Sequence, residues 1–364
     1  MARNVQVDNR RREEDYYTER EWRRIQQKER AERRRLRLLG LILAGMVLLV
    51  IFLCVLVYMV VFRSHDKTMQ MPFVLEEQVV STSLFTGGGD RADGFSSGLC
   101  VTAKDVNVSE LSLDAYEAAL FDLNRGEVLY AKDIFTSRSP ASMTKVMTVL
   151  VALKYGNPDD IVTVTQTALD IEYGSSVCDI KVGDRLSLKQ LLYGLMVASG
   201  NDAAMMIAEH VGGSVDHFVE MMNEEARALG ATDTHFANPH GLTDPDHYTS
   251  AYDMYLIFNE AMKYDMFMDM ICRANYYAEY TREDGTPVAV TWESTDHYLT
   301  GEAPGPDNVI IYGGKTGTTD DAGACLTLLT KDLYGNPYLS VIMHSPDKDS
   351  LYMEMNRLLG LIPN

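Results

Sequence analysis

Apolar and polar positions divide the 364-residue chain into three regimes. Leu38 to Phe62 is a run of 25 residues without a charge. At about 1.5 Å per residue, a helix of that length crosses a hydrocarbon core of roughly 30 Å with some tilt. From residue 63 to 105 no periodicity is visible, and Ser81-Thr82-Ser83, Gly87-Gly88-Gly89 and Ser96-Ser97-Gly98 mark a linker. As a flexible coil such a segment has an end-to-end distance of roughly 35 Å. From residue 106 to 364, short apolar runs and amphipathic stretches alternate with turn signals, the pattern of a globular domain.

Within that domain the pattern predicts two strands, Ala118 to Asp122 and Val128 to Ala131, around the hairpin signal Asn124-Arg125-Gly126. A buried helix is expected from Ser142 to Tyr155, stopped by Gly156 with Pro158 beyond. Ile161 to Thr165 reads as a short strand. Ser187-Leu188-Lys189-Gln190 is a capping box ahead of Leu191 to Val197. Ser214 to Leu229 places Val215, Phe218, Val219, Met222, Ala226 and Leu229 on one helical stripe, and Gly230 stops it. Ser250 to Met262 is expected to be another helix. Strands follow at Val309 to Tyr312, Cys325 to Thr330 and Leu339 to His344, the last two joined by a turn at Gly335-Asn336-Pro337, and Leu351 to Leu361 closes the chain as a helix. Strands first and last with helices between make an α+β order, with the terminal strands sharing one antiparallel sheet packed against a helical cluster.

Charge sharpens the first regime. Residues 1–37 hold 13 Lys+Arg against 8 Asp+Glu, a net of +5, while the remainder carries a net of −24. The acidic body repels phosphates and argues against a nucleic acid partner. The basic tail, with Arg30, Arg33, Arg34, Arg35 and Arg37 against the apolar run, points to a lipid bilayer crossed once by residues 38–62. A cleaved signal peptide fits poorly, because the basic region and apolar run are both too long and no Ala-x-Ala-like site follows. The N-terminus is therefore expected to be cytoplasmic and everything after Phe62 extracytoplasmic, at the cell membrane. Cys54 lies in the apolar run; Cys100, Cys178, Cys272 and Cys325 form no C-x-x-C pair, which disfavours a thiolate zinc site. Up to two disulfides and free buried thiols are both compatible with these four.

Three short motifs carry candidate chemistry. In Pro140-Ala141-Ser142-Met143-Thr144-Lys145, a hydroxyl and an amine three residues apart share a helix face, giving a nucleophile with a base beside it. Ser199-Gly200-Asn201 ends the helix begun at Ser187; alone it reads as an ordinary helix stop. Gly313-Gly314-Lys315-Thr316-Gly317-Thr318-Thr319 follows an apolar run and allows close backbone approach. A P-loop reading of Gly-Lys-Thr fails, since Val309 stands where a glycine is needed and no helix follows. Gly94-Phe95-Ser96-Ser97-Gly98 matches a nucleophile elbow but lacks the flanking strand and helix. His235, His240 and His247 are spaced by 5 and 7, share no helix face and form no H-E-x-x-H, so a metal is not expected. A Ser-His-Asp triad built on one of them would leave Lys145 and Lys315 unexplained.

Ser142-x-x-Lys145, Ser199-x-Asn201 and Lys315-Thr316-Gly317 occur in that order, separated by 57 and 116 residues. From about Leu113 onward the chain resembles the penicillin-binding, active-site-serine acyl enzymes, and within them the low-molecular-mass D-alanyl-D-alanine carboxypeptidases. Ser139 to Lys145, Ser199 to Ala204, Asn238-Pro239-His240-Gly241-Leu242 and Lys315 to Thr318 with Ala322-Gly323 carry that resemblance. It implies that Ser142 attacks a carbonyl and is acylated, with Lys145 accepting its proton. Lys145 must then be neutral, so burial and a second cation, Lys315, are expected to lower its pKa. The resemblance further implies that Ser199 relays a proton toward the leaving amine and that Asn201 holds the substrate amide or Lys145. Lys315, Thr316 and Thr318 would bind a terminal carboxylate beside Gly317. The backbone N–H groups of Ser142 and Thr318 would form an oxyanion hole.

The implied activity is trimming of the terminal D-Ala from peptidoglycan stem peptides, with β-lactams acylating the same serine and no cofactor. A β-lactamase shares the motifs. The class A type activates water with a Glu after Ser-x-Asn, and Thr234-His235-Phe236-Ala237-Asn238 has none. A D,D-endopeptidase is a close variant that sequence barely separates. A silent wall-binding or sensor module ranks lowest, because every reactive side chain is present.

Overall fold

The computed structural model describes residues 98–363 apart from 108 and 110. The predicted tail and anchor, most of the linker and most of the Gly94–Gly98 motif lie outside the described residues. Among the described residues no helix is long and apolar enough to cross a membrane.

The expected sharing of one sheet by the terminal strands is observed. β1 (Glu117–Asp122) and β2 (Glu127–Lys132) form the first hairpin; β7 (Val309–Thr319), β8 (Gly323–Asp332) and β9 (Pro337–Ser345) form the last three strands. They build a five-stranded sheet in the order β2-β1-β9-β8-β7, with every neighbour antiparallel. β1 is buried along its whole length. Its alternate side chains pack into different clusters: Ala119 and Phe121 join the helical core, whereas Ala118 and Leu120 face the C-terminal helix α8 (Lys348–Leu359).

Between the terminal strands lie α1 (Lys145–Tyr155), β3 (Ile161–Thr163), β4 (Arg185–Ser187), α2 (Leu188–Val197), α3 (Asn201–Gly212), α4 (Val215–Leu229), α5 (Ala251–Ala261), α6 (Asp265–Ile271), β5 (Asn275–Thr281), β6 (Pro287–Glu293) and the single turn α7 (His297–Thr300). The capping box at Ser187 forms as the sequence predicts, with Ser187 accepting from Gln190 N and the Gln190 side chain accepting from Ser187 N. A second sheet, ordered β3-β4-β5-β6, was not anticipated, nor were α3 and α6. Cys100, Cys178, Cys272 and Cys325 are all free thiols.

One irregularity positions the functional residues. β7 pairs Ile311 with Thr330 but Gly313 with Leu329, so Tyr312 is an extra residue, a β-bulge. Before it, Val309 and Ile311 pack toward α8; after it, Lys315 reaches the helical side, where it meets Ser199. Gly313 takes φ 120°, and a Cβ there would stand 2.0 Å from the Ile271 carbonyl oxygen.

The α8 side is fastened by Glu354. Its buried carboxylate accepts from the backbone N–H groups of Asp114 and Ala115 and from Ser345 Oγ at 2.7 Å. Glu354→Ala leaves these donors without a partner and is expected to cost about 2–4 kcal/mol, read as a lower denaturant midpoint at unchanged slope.

Candidate active site

Ser142 sits in a 3₁₀ turn, Ala141–Thr144, that leads into α1, rather than in the α-helix expected from the sequence. The turn is tightened by Met143 N donating to Pro140 O at 3.2 Å and by Thr144 Oγ1 donating to Ala141 O at 2.8 Å. Side chains three apart eclipse in a 3₁₀ turn, which stacks Lys145 directly over Ser142. His247 braces the turn from below. Its Nδ1 accepts from Ala237 N at 3.1 Å, so its Nε2–H donates to Thr144 Oγ1 at 2.8 Å. Burial pushes this imidazole down to about 4, which keeps it a neutral strut. Arg138, whose backbone bridges to Thr249, ties the approach to the turn to β1 through an ion pair with the buried Glu117.

Lys145 is fully buried at the start of α1. Its Nζ lies 2.7 Å from Ser142 Oγ, 2.7 Å from Asn201 Oδ1 and 2.8 Å from the His240 carbonyl oxygen. All three partners are neutral. Burial holds the lysine well below its usual pKa, and the charge of Lys315 lowers it further. The His240 carbonyl reaches it because Asn238 Oδ1 folds the Asn238–Leu242 turn by accepting from Gly241 N at 2.7 Å. Of the two tasks expected for Asn201, the structure shows its contact with Lys145.

Lys315 is the second buried ammonium. It donates to Ser199 Oγ at 3.0 Å and to the Thr316 carbonyl at 3.1 Å. Burial pushes it down to about 7, and Asp296 pulls it back up. Ser199 takes φ +58°, a conformation a helix stop tolerates, between the end of α2 and the start of α3. Asp202 fastens this corner: its carboxylate accepts from Ala203 N and Cys178 N at 2.8 Å and from Ile180 N at 3.2 Å. Gly200 leaves space for the Cys178 thiol, since a Cβ there would lie 2.3 Å from Sγ.

β7 runs against the Ser142 turn. A Cβ on Gly317 would stand 2.8 Å from Pro140 O and 3.0 Å from Ser142 N, so only glycine permits this approach. A cleft results, lined by Ser142, Ser176, Ser199, Thr295, Thr316, Gly317 and Thr318 and, toward α8, by Lys348 and Tyr352. The structure thus brings all eight predicted residues to one place. The Gly-Lys-Thr segment is strand, not loop, which agrees with rejecting a P-loop.

Residues 104–347 match the family described as D-alanyl-D-alanine carboxypeptidase. The chain belongs to the D-alanyl-D-alanine carboxypeptidase family. It is 37% identical over 228 residues to D-alanyl-D-alanine carboxypeptidase DacF of Bacillus subtilis, covering 61% of this chain and 56% of that one. It therefore spans little more than half of that relative's length. Among solved structures it is similar to a Streptomyces DD-transpeptidase (TM-score 0.64, 27% identity, covering 69% of this chain and 97% of that one). It is also similar to a Mycobacterium tuberculosis D-alanyl-D-alanine carboxypeptidase (TM-score 0.61, 28% identity, covering 69% and 91%).

In this D-alanyl-D-alanine carboxypeptidase family member, sequence reasoning missed several residues of the site. The His240 carbonyl, the Asp202 carboxylate and the Thr295 hydroxyl, 2.6 Å from Thr316 Oγ1, belong to no chemical motif of their own. Only the Asn238–Leu242 phrase and the residue after Ser-Gly-Asn hinted at the first two. Gly241 is equally specific: at φ +87°, its Cβ would fall 1.9 Å from the Ala141 carbonyl oxygen. Gly241→Ala is expected to cost about 3 kcal/mol or more in thermal unfolding. Gly285→Ala, at φ +82° with no neighbour within 4 Å, pays only the conformational term of about 1 kcal/mol.

Proposed function

We propose that the chain is a membrane-anchored serine D-Ala-D-Ala carboxypeptidase, held by residues 38–62 with residues 1–37 cytoplasmic. A linker over residues 63–105 carries a catalytic domain, residues 106–364, outside the membrane. The observation that carries the reading is Lys145 Nζ at 2.7 Å from Ser142 Oγ, with only neutral partners around it. A neutral Lys145 takes the Ser142 proton as Oγ attacks the penultimate carbonyl of the stem peptide. Lys315 and the Thr316 and Thr318 hydroxyls hold the terminal carboxylate. The Ser142 and Thr318 N–H groups receive the oxyanion, a donor of this kind being worth about 2.7–4 kcal/mol in the transition state. The leaving D-Ala amine is protonated through Ser199, and water then releases the acyl group. β-Lactams acylate Ser142 by the same route.

Two measurements test this. The domain is incubated with labelled penicillin and with a peptide ending in D-Ala-D-Ala, alongside Ser142→Ala. Stable labelling and D-Ala release, both lost in the variant, are expected. Labelling that survives the substitution refutes the assignment, and rapid label turnover selects a β-lactamase instead. The pH profile supplies the second measurement. Lys145 must be neutral and Lys315 charged, so kcat/KM rises as Lys145 loses its proton. It then falls as Lys315, at about 7, loses its own. A profile that keeps climbing to about pH 10, as for an ordinary lysine base, contradicts the scheme.

A further inference from the structure

Asp296 is a buried carboxylate that none of the steps above uses. It lies beside the cleft, 2% exposed, as the N-cap of the one-turn helix α7. Oδ1 is occupied: it accepts from Tyr298 N at 3.0 Å and lies 3.4 Å from the Tyr352 hydroxyl. Oδ2 is buried with no hydrogen-bond partner among the described residues. A cap needs one oxygen, so capping does not account for the second. The preceding residue, Thr295, touches Thr316 at 2.6 Å, next in chain to Lys315. Tyr352, which also accepts from His297 N at 2.8 Å, lines the same cleft.

Lys315, meanwhile, is a buried ammonium whose hydrogen-bond acceptors, Ser199 Oγ and Thr316 O, are neutral. Other titratable groups lie around the pair. The Tyr298 hydroxyl, which Asp296 also influences, donates to Asn356 Oδ1 at 2.8 Å. Lys145 on α1 and Lys348 on α8 are cations or their neutral forms and cannot hold a positive charge in place. The Asp202 carboxylate is taken by three backbone N–H groups. Glu302 is exposed and pairs with His297, which stacks on Tyr352 at 5.0 Å. Asp296 is the remaining acid among the described residues. Burial raises its pKa and lowers that of Lys315, and each group's charge opposes the effect of burial on the other.

We infer that Asp296 is a positioning residue for the reaction, whose carboxylate keeps Lys315 charged and, through Thr295, seats Thr316 at the rim of the cleft. The inference rests on the proposed role of Lys315 in holding a carboxylate. Without a nearby negative charge a lysine this buried sheds its proton at lower pH, and the site loses its cation just where the substrate needs one.

Asp296→Asn separates this from capping, because Asn caps as well as Asp and has the same shape. The first readout needs no activity. With isotope-labelled lysine, the Lys315 side-chain resonance, assigned through Lys315→Arg, is titrated in wild type and variant. Its midpoint is expected to move to lower pH in Asp296→Asn; an unmoved midpoint overturns the inference. The second readout is kcat/KM for D-Ala release against pH. The alkaline limb is expected to shift down, giving roughly a tenfold loss at pH 8 with little change at pH 6. An equal loss at every pH with an unmoved midpoint assigns Asp296 a purely structural role and overturns the inference. A wild type that neither takes penicillin nor releases D-Ala refutes the carboxypeptidase reading, while the titration still decides the coupling.

Discussion

Two buried lysines serve one site, and the rest of the structure accommodates that constraint. Placing an ammonium in a protein interior is costly, and placing two at one site costs more still. Among the described residues no salt bridge is made to Lys145. Its partners are a hydroxyl, an amide oxygen and a peptide carbonyl, each a good acceptor and none a charge. A carboxylate at any of these positions would favour the cation and remove the base. The surroundings are built to the same end: His247 and His240, both buried, are pushed down to about 4 and about 3, so neither adds a charge.

The order of strands and helices was legible because each terminal strand has a plain apolar run and a plain turn. The three motifs were legible as a set because their chemistry is incomplete in pairs. Ser142 needs a base, Lys145 needs a reason to be neutral, and Lys315 supplies part of it. What stayed hidden has physical reasons. α3 carries Asn201 to Ala208 buried on every side, so it shows no amphipathic period, and its first residues read as the stop of α2. The hairpin of β5 and β6 buries one face and exposes the other, but Tyr277 and Ala289 on the exposed face blur that alternation in the sequence. The 3₁₀ turn at Ser142 depends on Ala141 at φ +48° and on Gly241, some hundred residues away, whose missing side chain makes room for it.

Contacts made by backbone are the hardest to foresee. The His240 carbonyl that holds Lys145 is displayed by a turn whose shape depends on Asn238, and the Ser-Gly-Asn corner is fixed by Asp202 gathering backbone donors from the segment around Cys178. In both cases a side chain that touches no reacting atom shapes the loop that does. The family match places these residues in a D-alanyl-D-alanine carboxypeptidase scaffold.

The bulge at Tyr312 makes the strand behave as a parity device. A strand has two faces, and counting residues decides which face a side chain takes. From Val309 to Lys315 the count is even, which in a regular strand would send both to the α8 side; the one extra residue of the bulge turns even into odd. Lys315, Gly317 and Thr319 all inherit their orientation from that single insertion. A change of one residue in length between Val309 and Lys315 would therefore invert the strand's chemistry while leaving its motif spelling intact. Any redesign of this edge has to keep the count as well as the letters.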